Sequence, residues 1–234
     1  MCTLTFFPLS KNDFILTSNR DEQPSRETIP PKEYNHEGIR LIYPKDKRAG
    51  GTWIGANKEG RVASLMNGGK IPHKRKEKYR LSRGVVMLEL LKATDVFNYL
   101  DTFDFHGIEP FTLVFIEPTN TADKNSNKPS FLAFELIWDE KKLHRRELEW
   151  KPQIWSSTPL YTREDHQIRT EWFTKFIKEN PHISPEAIWE FHHTAGKGDK
   201  KIGLIMDREI VHTKSITQIV KKEDIRFLYK DVLR

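Results

Sequence analysis

The chain has 234 residues, with 39 Lys+Arg against 33 Asp+Glu, nine His and one Cys. That length suits one large domain or two small ones and can bury a substantial core. Hydrophobic residues at 37% and aromatics at 11%, without low-complexity bulk, exclude a disordered chain. No apolar run approaches the roughly 20 residues of a membrane-spanning helix; the longest, Phe111–Ile116, is strand-sized. One cysteine excludes an internal disulfide. The start, Met1 to Pro8, lacks the basic leader of a signal peptide and breaks its apolar run at Pro8, so a cytoplasmic location is expected.

In chain order, the first 20 residues read as a β-hairpin, Cys2–Pro8 and Asp13–Ser18, around the polar Ser10-Lys11-Asn12. A four-residue loop Leu9–Asn12 sets Pro8 opposite Asp13 and Cys2 opposite Asn19, beside Arg20, Asp21 and Glu22. After a proline-rich loop holding Pro24, Pro30, Pro31 and Pro44, a second hairpin is expected, Gly51–Ala56 and Arg61–Asn67. Its turn is Asn57-Lys58-Glu59-Gly60, and the same counting places Asn67 opposite Gly50. The Gly-Gly pairs 50–51 and 68–69 border one end of that hairpin and admit close approach of backbone or ligand.

Ser82 is placed to cap a helix over Val85–Lys92, and Asp95–Leu100 reads as a shorter helix. Phe111–Glu117, Phe131–Trp138 and Leu143–Trp150 read as strands, Glu164–Lys178 and Pro185–Phe191 as helices. Ile202–Met206, Glu209–His212, Ser215–Val220 and Arg226–Tyr229 close the chain as strands. Hairpins outnumber crossovers, which predicts a layered fold with mainly antiparallel sheets. No repeat or linker divides the chain, so 1–234 is expected to be a single domain.

Cys2 is the first candidate for chemistry. Removal of Met1 would leave it as residue one, with a thiol nucleophile and an α-amine base of pKa about 7.7–8.0 in a single residue. A cation such as Arg20 favours the thiolate, and a carboxylate such as Asp21 can orient the ammonium. The plain alternatives are an accidental buried cysteine and an ordinary turn with a surface ion pair.

Four ordered motifs carry a resemblance. Met1-Cys2-Thr3-Leu4, Asn19-Arg20-Asp21-Glu22, Gly50-Gly51-Thr52-Trp53-Ile54-Gly55, and Gly60-Arg61 leading to Asn67 together resemble the NRDE family, also called the transport and Golgi organisation 2 family. The likeness continues weakly through Ser82-Arg83-Gly84 and Ser215-Ile216-Thr217-Gln218 and is faint between 95 and 150. It implies an α+β fold similar to the N-terminal nucleophile (Ntn) hydrolases, a four-layer αββα sandwich of two mainly antiparallel sheets between helices. The cysteine-type amidases acting on penicillin V and conjugated bile salts look similar at this end. Carried over by that resemblance, Cys2 is the nucleophile, Arg20 and Asp21 tune and orient it, and Asn67 donates to the oxyanion. Those amidases place a second Asn mid-chain, where this sequence has Ser156-Ser157 after Ile154-Trp155. The family is also associated with haem trafficking and with acyl-CoA and lipid handling.

The basic stretch from Lys70 to Arg83 contains a single acid, Glu77, and leads into a helix N-terminus. It is either a solvated loop or, through Lys74, Arg75 and Lys76, a clamp for an anionic ligand such as the nucleotide end of coenzyme A. It lacks the interleaved aromatics of a single-strand binder, so no nucleic-acid partner is expected. His192-His193, expected in a loop after a helix, complete no recognisable metal spacing. The tryptophans, Trp53 among them, fill core or line an apolar pocket.

The candidate catalytic residues are therefore Cys2, Arg20, Asp21 and Asn67, and the candidate ligand-binding residues Asn19, Gly50, Gly51, Trp53, Lys74, Arg75 and Lys76, with no metal. Two functions compete. One is an N-terminal-cysteine amidohydrolase or acyltransferase acting on a small acyl amide or thioester, with no cofactor. The other is a non-catalytic carrier of haem or an acyl-CoA on the same scaffold.

Overall fold

The computed structural model describes residues 3–119 and 129–232. In chain order, strands β1 (Thr3–Pro8), β2 (Phe14–Glu22), β3 (Thr28–His36), β4 (Ile39–Asp46), β5 (Ile54–Asn57) and β6 (Val62–Asn67) precede helices α1 (Arg83–Lys92) and α2 (Val96–Thr102). Strands β7 (Phe111–Pro118), β8 (Phe131–Trp138), β9 (Leu143–Leu148) and β10 (Gln153–Ser156) come next. Helices α3 (Arg163–Glu179) and α4 (Pro185–Thr194) and strands β11 (His212–Lys221) and β12 (Ile225–Asp231) complete the order. The fold is α+β, and every pairing between described strands is antiparallel. The chain forms two compact units, Met1–Arg26 with Lys151–Arg234, and Glu27–Trp150. No described helix is long and apolar enough to cross a membrane.

The first unit is a five-stranded sheet, β10-β1-β2-β11-β12, with α3 and α4. β1 and β2 pair from Thr3↔Asn19 to Pro8↔Phe14, one residue away from the register expected from the sequence. The loop holds three residues rather than four, because Leu9 N donates to Asp13 O and closes the ladder there. Since side chains alternate along a strand, the register decides which ones share a face. Phe7 and Ile15 share one face and pack with Phe173 of α3, Ile188 and Phe191 of α4, and Leu204. Both helices start on the side-chain caps their sequences prescribe. Thr162 and Asp165 form a capping box at α3, while Ser184 caps α4 ahead of Pro185.

The second unit is a seven-stranded sheet in sequential order, β3 to β9, with α1 and α2. Val86, Met87, Leu90 and Leu91 of α1 and Val96 and Leu100 of α2 pack in one core with Leu41, Leu65, Leu113, Phe115 and Leu136 of the strands. The β5–β6 hairpin also closes on a three-residue loop. Asn57 N donates to Arg61 O, and Gly60 takes the left-handed conformation at φ +103°. Its register is again one residue from the one counted from sequence, running through Gly55↔Ala63.

Four further expectations are corrected. The proline-rich loop contains a hairpin, β3–β4; Pro30 and Pro31 are tolerated because β3 is an edge strand whose register breaks between Ile29 and Lys32. His192 and His193 lie within the last turn of α4, not after it. Ile202–Met206 forms no strand, because its backbone finds other partners: the Ile202, Gly203 and Leu204 carbonyls accept from Arg169, Arg169 and Asn19. Glu209–His212 likewise forms no strand of its own, and only His212 enters β11.

Candidate functional site

Cys2 lies outside the described residues. The strand that follows it begins at Thr3, opposite Asn19, and β2 runs three residues past that pair through Arg20, Asp21 and Glu22. Arg20 and Asp21 are each 1% exposed and, as successive strand residues, leave β2 on opposite faces. The Arg20 Nη1 donates to Arg26 O at 3.1 Å. By the pairings Ser215↔Arg20 and Thr217↔Ser18, Arg20 shares its face with three buried hydroxyls, those of Ser18, Ser215 and Thr217, which have no hydrogen-bond partner among the described residues.

Asp21 is held from the other face. Its carboxylate accepts from Thr213 Oγ1 at 2.7 Å and from Tyr161 Oη at 3.3 Å. Burial, and then the Asp21 charge, push the Tyr161 phenol well above its usual range, so it stays protonated and donates. Two neutral donors thus fix the carboxylate beside the start of β1.

Asn19, expected to bind ligand, is fully buried and its amide is occupied within the core. Nδ2 donates to His192 O at 3.1 Å and Leu204 O at 2.6 Å, which leaves Oδ1 to accept from His192 Nδ1 at 2.5 Å. His192 Nε2 is then the acceptor for Thr5 Oγ1 at 2.7 Å, which requires the neutral imidazole. Burial holds its pKa down to about 3. Both ring nitrogens of His192 are committed, and His193 Nδ1 donates to Trp189 O at 2.9 Å. No group of three metal-ligating side chains occurs among the described residues.

The residue the sequence analysis missed is Arg169 of α3, 1% exposed. Its Nη1 donates to Thr3 Oγ1 at 2.5 Å and Ser156 Oγ at 3.0 Å, its Nε to Ile202 O, and its Nη2 to Gly203 O. Its guanidinium carbon lies 3.6 Å from the centre of the Tyr161 ring. The available signal was an arginine four residues before Phe173, on the buried stripe of an amphipathic helix. Ser156 is therefore engaged on this side, and Ser157, which follows it, is 1% exposed.

The remaining candidates belong to the unit 27–150 and are placed there. Asn67 ends β6, paired with Phe111 and half-buried. Gly50 adopts a positive φ of +73°, and Trp53 is buried, its carbonyl accepting from Leu65 N and Ser64 Oγ. What approaches Gly51 is backbone: a Cβ there would stand 2.8 Å from the Gly84 carbonyl carbon of α1. The basic run is tied to acids. Arg75 is 3.8 Å and Arg83 3.0 Å from the Glu109 carboxylate, His73 is 3.3 Å from it, and Lys76 is 2.7 Å from Glu140. Lys74 is exposed.

The fold is similar to that of several solved hydrolases and acylases. A cysteine-to-alanine mutant of the conjugated bile acid hydrolase from Clostridium perfringens matches 99% of this chain and 92% of its own, with a TM-score of 0.57 at 10% identity. Penicillin V acylase from Agrobacterium tumefaciens matches 100% of this chain and 84% of its own, with a TM-score of 0.51 at 9% identity. The Caenorhabditis elegans ortholog of N-acylethanolamine-hydrolyzing acid amidase matches 93% and 92%, with a TM-score of 0.52 at 12% identity. No curated protein matches the sequence. The family model of Transport and Golgi organisation 2 matches residues 1–188, and the chain belongs to that family.

Proposed function

We propose that the protein is an N-terminal-cysteine amidohydrolase or acyltransferase that cleaves an acyl amide or thioester through an acyl-enzyme on Cys2. The observation that carries this reading is the pair Arg20 and Asp21, both buried, on the part of β2 that runs past the first described residue of β1. A buried guanidinium and a buried carboxylate held by two neutral donors are the groups that an N-terminal thiol and amine require. The Ntn fold and the amide-cleaving neighbours support the same reaction class.

With Met1 removed, the Cys2 amine takes the thiol proton and the thiolate attacks the acyl carbonyl. A carbon–sulfur bond forms while the carbonyl electron pair moves to oxygen, where a hydrogen-bond donor of the site stabilises it. Collapse breaks the carbon–nitrogen or carbon–sulfur bond of the substrate, and the ammonium of residue 2 returns its proton to the leaving group. Water, deprotonated by the same amine, then attacks the thioester, releases the acid and restores the thiol. Arg20 favours the thiolate, Asp21 orients the amine, and the oxyanion donor contributes about 10²–10³ in rate.

Intact-mass spectrometry before and after mixing with a phenoxyacetyl amide, an acyl-homoserine lactone and a long-chain acyl-CoA tests this. The expected result is loss of Met1 and an acyl adduct that maps to Cys2 and is missing from Cys2→Ala. Retention of Met1, or turnover by Cys2→Ala, would falsify the mechanism. Stoichiometric binding of haem or an acyl-CoA with no adduct would transfer the assignment to a carrier.

A further inference from the structure

We propose that the protein associates with itself head to tail, the basic loop 70–78 of one copy seating in a groove between α4 and β12 of the next. This does not depend on the chemistry at Cys2. In the first unit, α4 packs over β2 and β11 and leaves beside it, towards the edge strand β12, a groove of about 590 Å³. The register explains its open apolar floor. Leu228 pairs with Gln218, whose side chain donates to Pro185 O of α4, so Leu228 stands on the helix-bearing face of the sheet. It is 48% exposed there and lines the groove with Trp189 and Val220. The rim is acidic, with Asp13, Glu186, Glu223 and Asp224 against Lys222 and Arg226.

The second unit carries the complement. Ile71, at 69%, is the most exposed large apolar side chain among the described residues. It follows Lys70 and precedes Lys74, Arg75, Lys76 and Lys78, with Glu77 the single acid of the loop. Arg75 and Lys76 have acidic partners, whereas Lys74 and Lys78 have none among the described residues. A clamp for a small anion or a nucleic acid has no use for an exposed isoleucine; an apolar floor inside a carboxylate rim has, and the opposite charges steer and register the contact. Ile71 and Leu228 are both exposed within one chain, so the loop that fills the groove belongs to a second copy. Loop and groove are different surfaces. Each copy therefore gives one and takes one, and the assembly closes into a ring or grows as an open chain.

Sedimentation velocity of the full chain over a range of concentrations tests this, with cooperative unfolding checked for every variant. The wild-type protein is expected to exceed the mass of a single chain as concentration rises. Its dissociation constant should rise at least about tenfold between about 0.1 and 1 M salt, where the screening length falls from about 10 Å to about 3 Å. Ile71→Asp and Leu228→Asp should each weaken association about thirtyfold. If Leu228→Asp does not fold, Ile71→Asp, in a loop, carries the test. Charge reversal supplies the specific result. Lys74→Glu with Lys76→Glu gives an acidic loop and an acidic groove; Glu186→Lys with Glu223→Lys gives a basic loop and a basic groove. Each reversed protein alone is expected to be monomeric, and an equal mixture of the two to associate. A wild-type protein that stays monomeric throughout would overturn the proposal; if it then cosediments with vesicles of an anionic phospholipid and Ile71→Asp does not, the loop serves a lipid surface instead. An oligomer that Ile71→Asp or a folded Leu228→Asp leaves intact would overturn it as well, and so would a mixture of the reversed proteins that fails to associate.

Discussion

His192 Nδ1 donates to Asn19 Oδ1 at 2.5 Å, joining the last turn of α4 to β2 across 173 positions of sequence. The other ring nitrogen, Nε2, accepts from Thr5 Oγ1, which only the neutral imidazole can do. The histidine is therefore a structural group whose protonation opposes folding.

That sets a pH dependence. Folded His192 stays neutral down to about pH 3, whereas its unfolded value is 6.5. Between the two, the unfolded chain binds the extra proton, so this contribution is fully present above pH 6.5 and is lost as pH falls. The slope is about 1.4 kcal/mol per pH unit. Urea midpoints at pH 7.5 and 5.5 should show this loss in the wild type and a smaller one in His192→Gln. An equal loss in both would refute the assignment.

Gly84→Ala is expected to destabilise the protein. Alanine raises helix propensity by about 1 kcal/mol. The added Cβ, however, would lie 2.8 Å from Thr52 O and 2.9 Å from Thr52 N, both backbone atoms that cannot rotate away. Overpacking of this kind costs about 1–3 kcal/mol and outweighs the propensity gain. Thermal unfolding that shifts upward would show that the 51–52 segment yields.

Arg61 is the buried anchor of the second unit. It pairs with Glu117 and donates through Nη1 to Leu90 O and Ala93 O, the carbonyls that end α1. Arg61→Met leaves those carbonyls and the carboxylate unsatisfied and should cost about 3–5 kcal/mol in chemical denaturation. Glu117→Gln, at the more exposed partner, should cost about 1–2 kcal/mol. Equal costs would mean that the ion pair, not the capping of α1, carries the effect.

Asp21→Asn keeps the shape between Thr213 and Tyr161 and removes the charge. Acyl-adduct formation is expected to fall about 10²–10⁴-fold with the fold retained. An unimpaired rate in a folded Asp21→Asn protein would remove the carboxylate from the mechanism.

Neutralising Lys74, Arg75 and Lys76 together separates the two functions. These side chains are largely exposed, and Arg75 and Lys76 pair with Glu109 and Glu140. Surface pairs contribute about 0–1 kcal/mol each, so unfolding should barely move. For the hydrolase, reaction with the phenoxyacetyl amide is expected to be unchanged. Lost affinity for an acyl-CoA would instead mark the basic run as its clamp.

Much of the local structure was legible. The cap Ser82, the runs of β7 and β8, and the two hairpins around their turns all occur where residue patterns place them. Each depends on residues within a few positions of one another, where propensity and side-chain capping act directly. The ordered motifs from Cys2 to Asn67 were sufficient to indicate the family and, through it, the fold. Both hairpin registers were missed by one residue, because a loop of three and a loop of four differ by a single hydrogen bond.

The sequence by itself determined the helices, most of the strands, the antiparallel bias and the identity of the residues worth testing. Only the tertiary structure decided what those residues face. It placed Arg20 and Asp21 on opposite sides of β2, engaged Asn19 with His192, and brought Arg169 to Thr3 from 166 positions away. The reason is physical: a buried polar group must find its partners among whatever the rest of the fold brings to it, and such pairings leave no periodic signal in the chain.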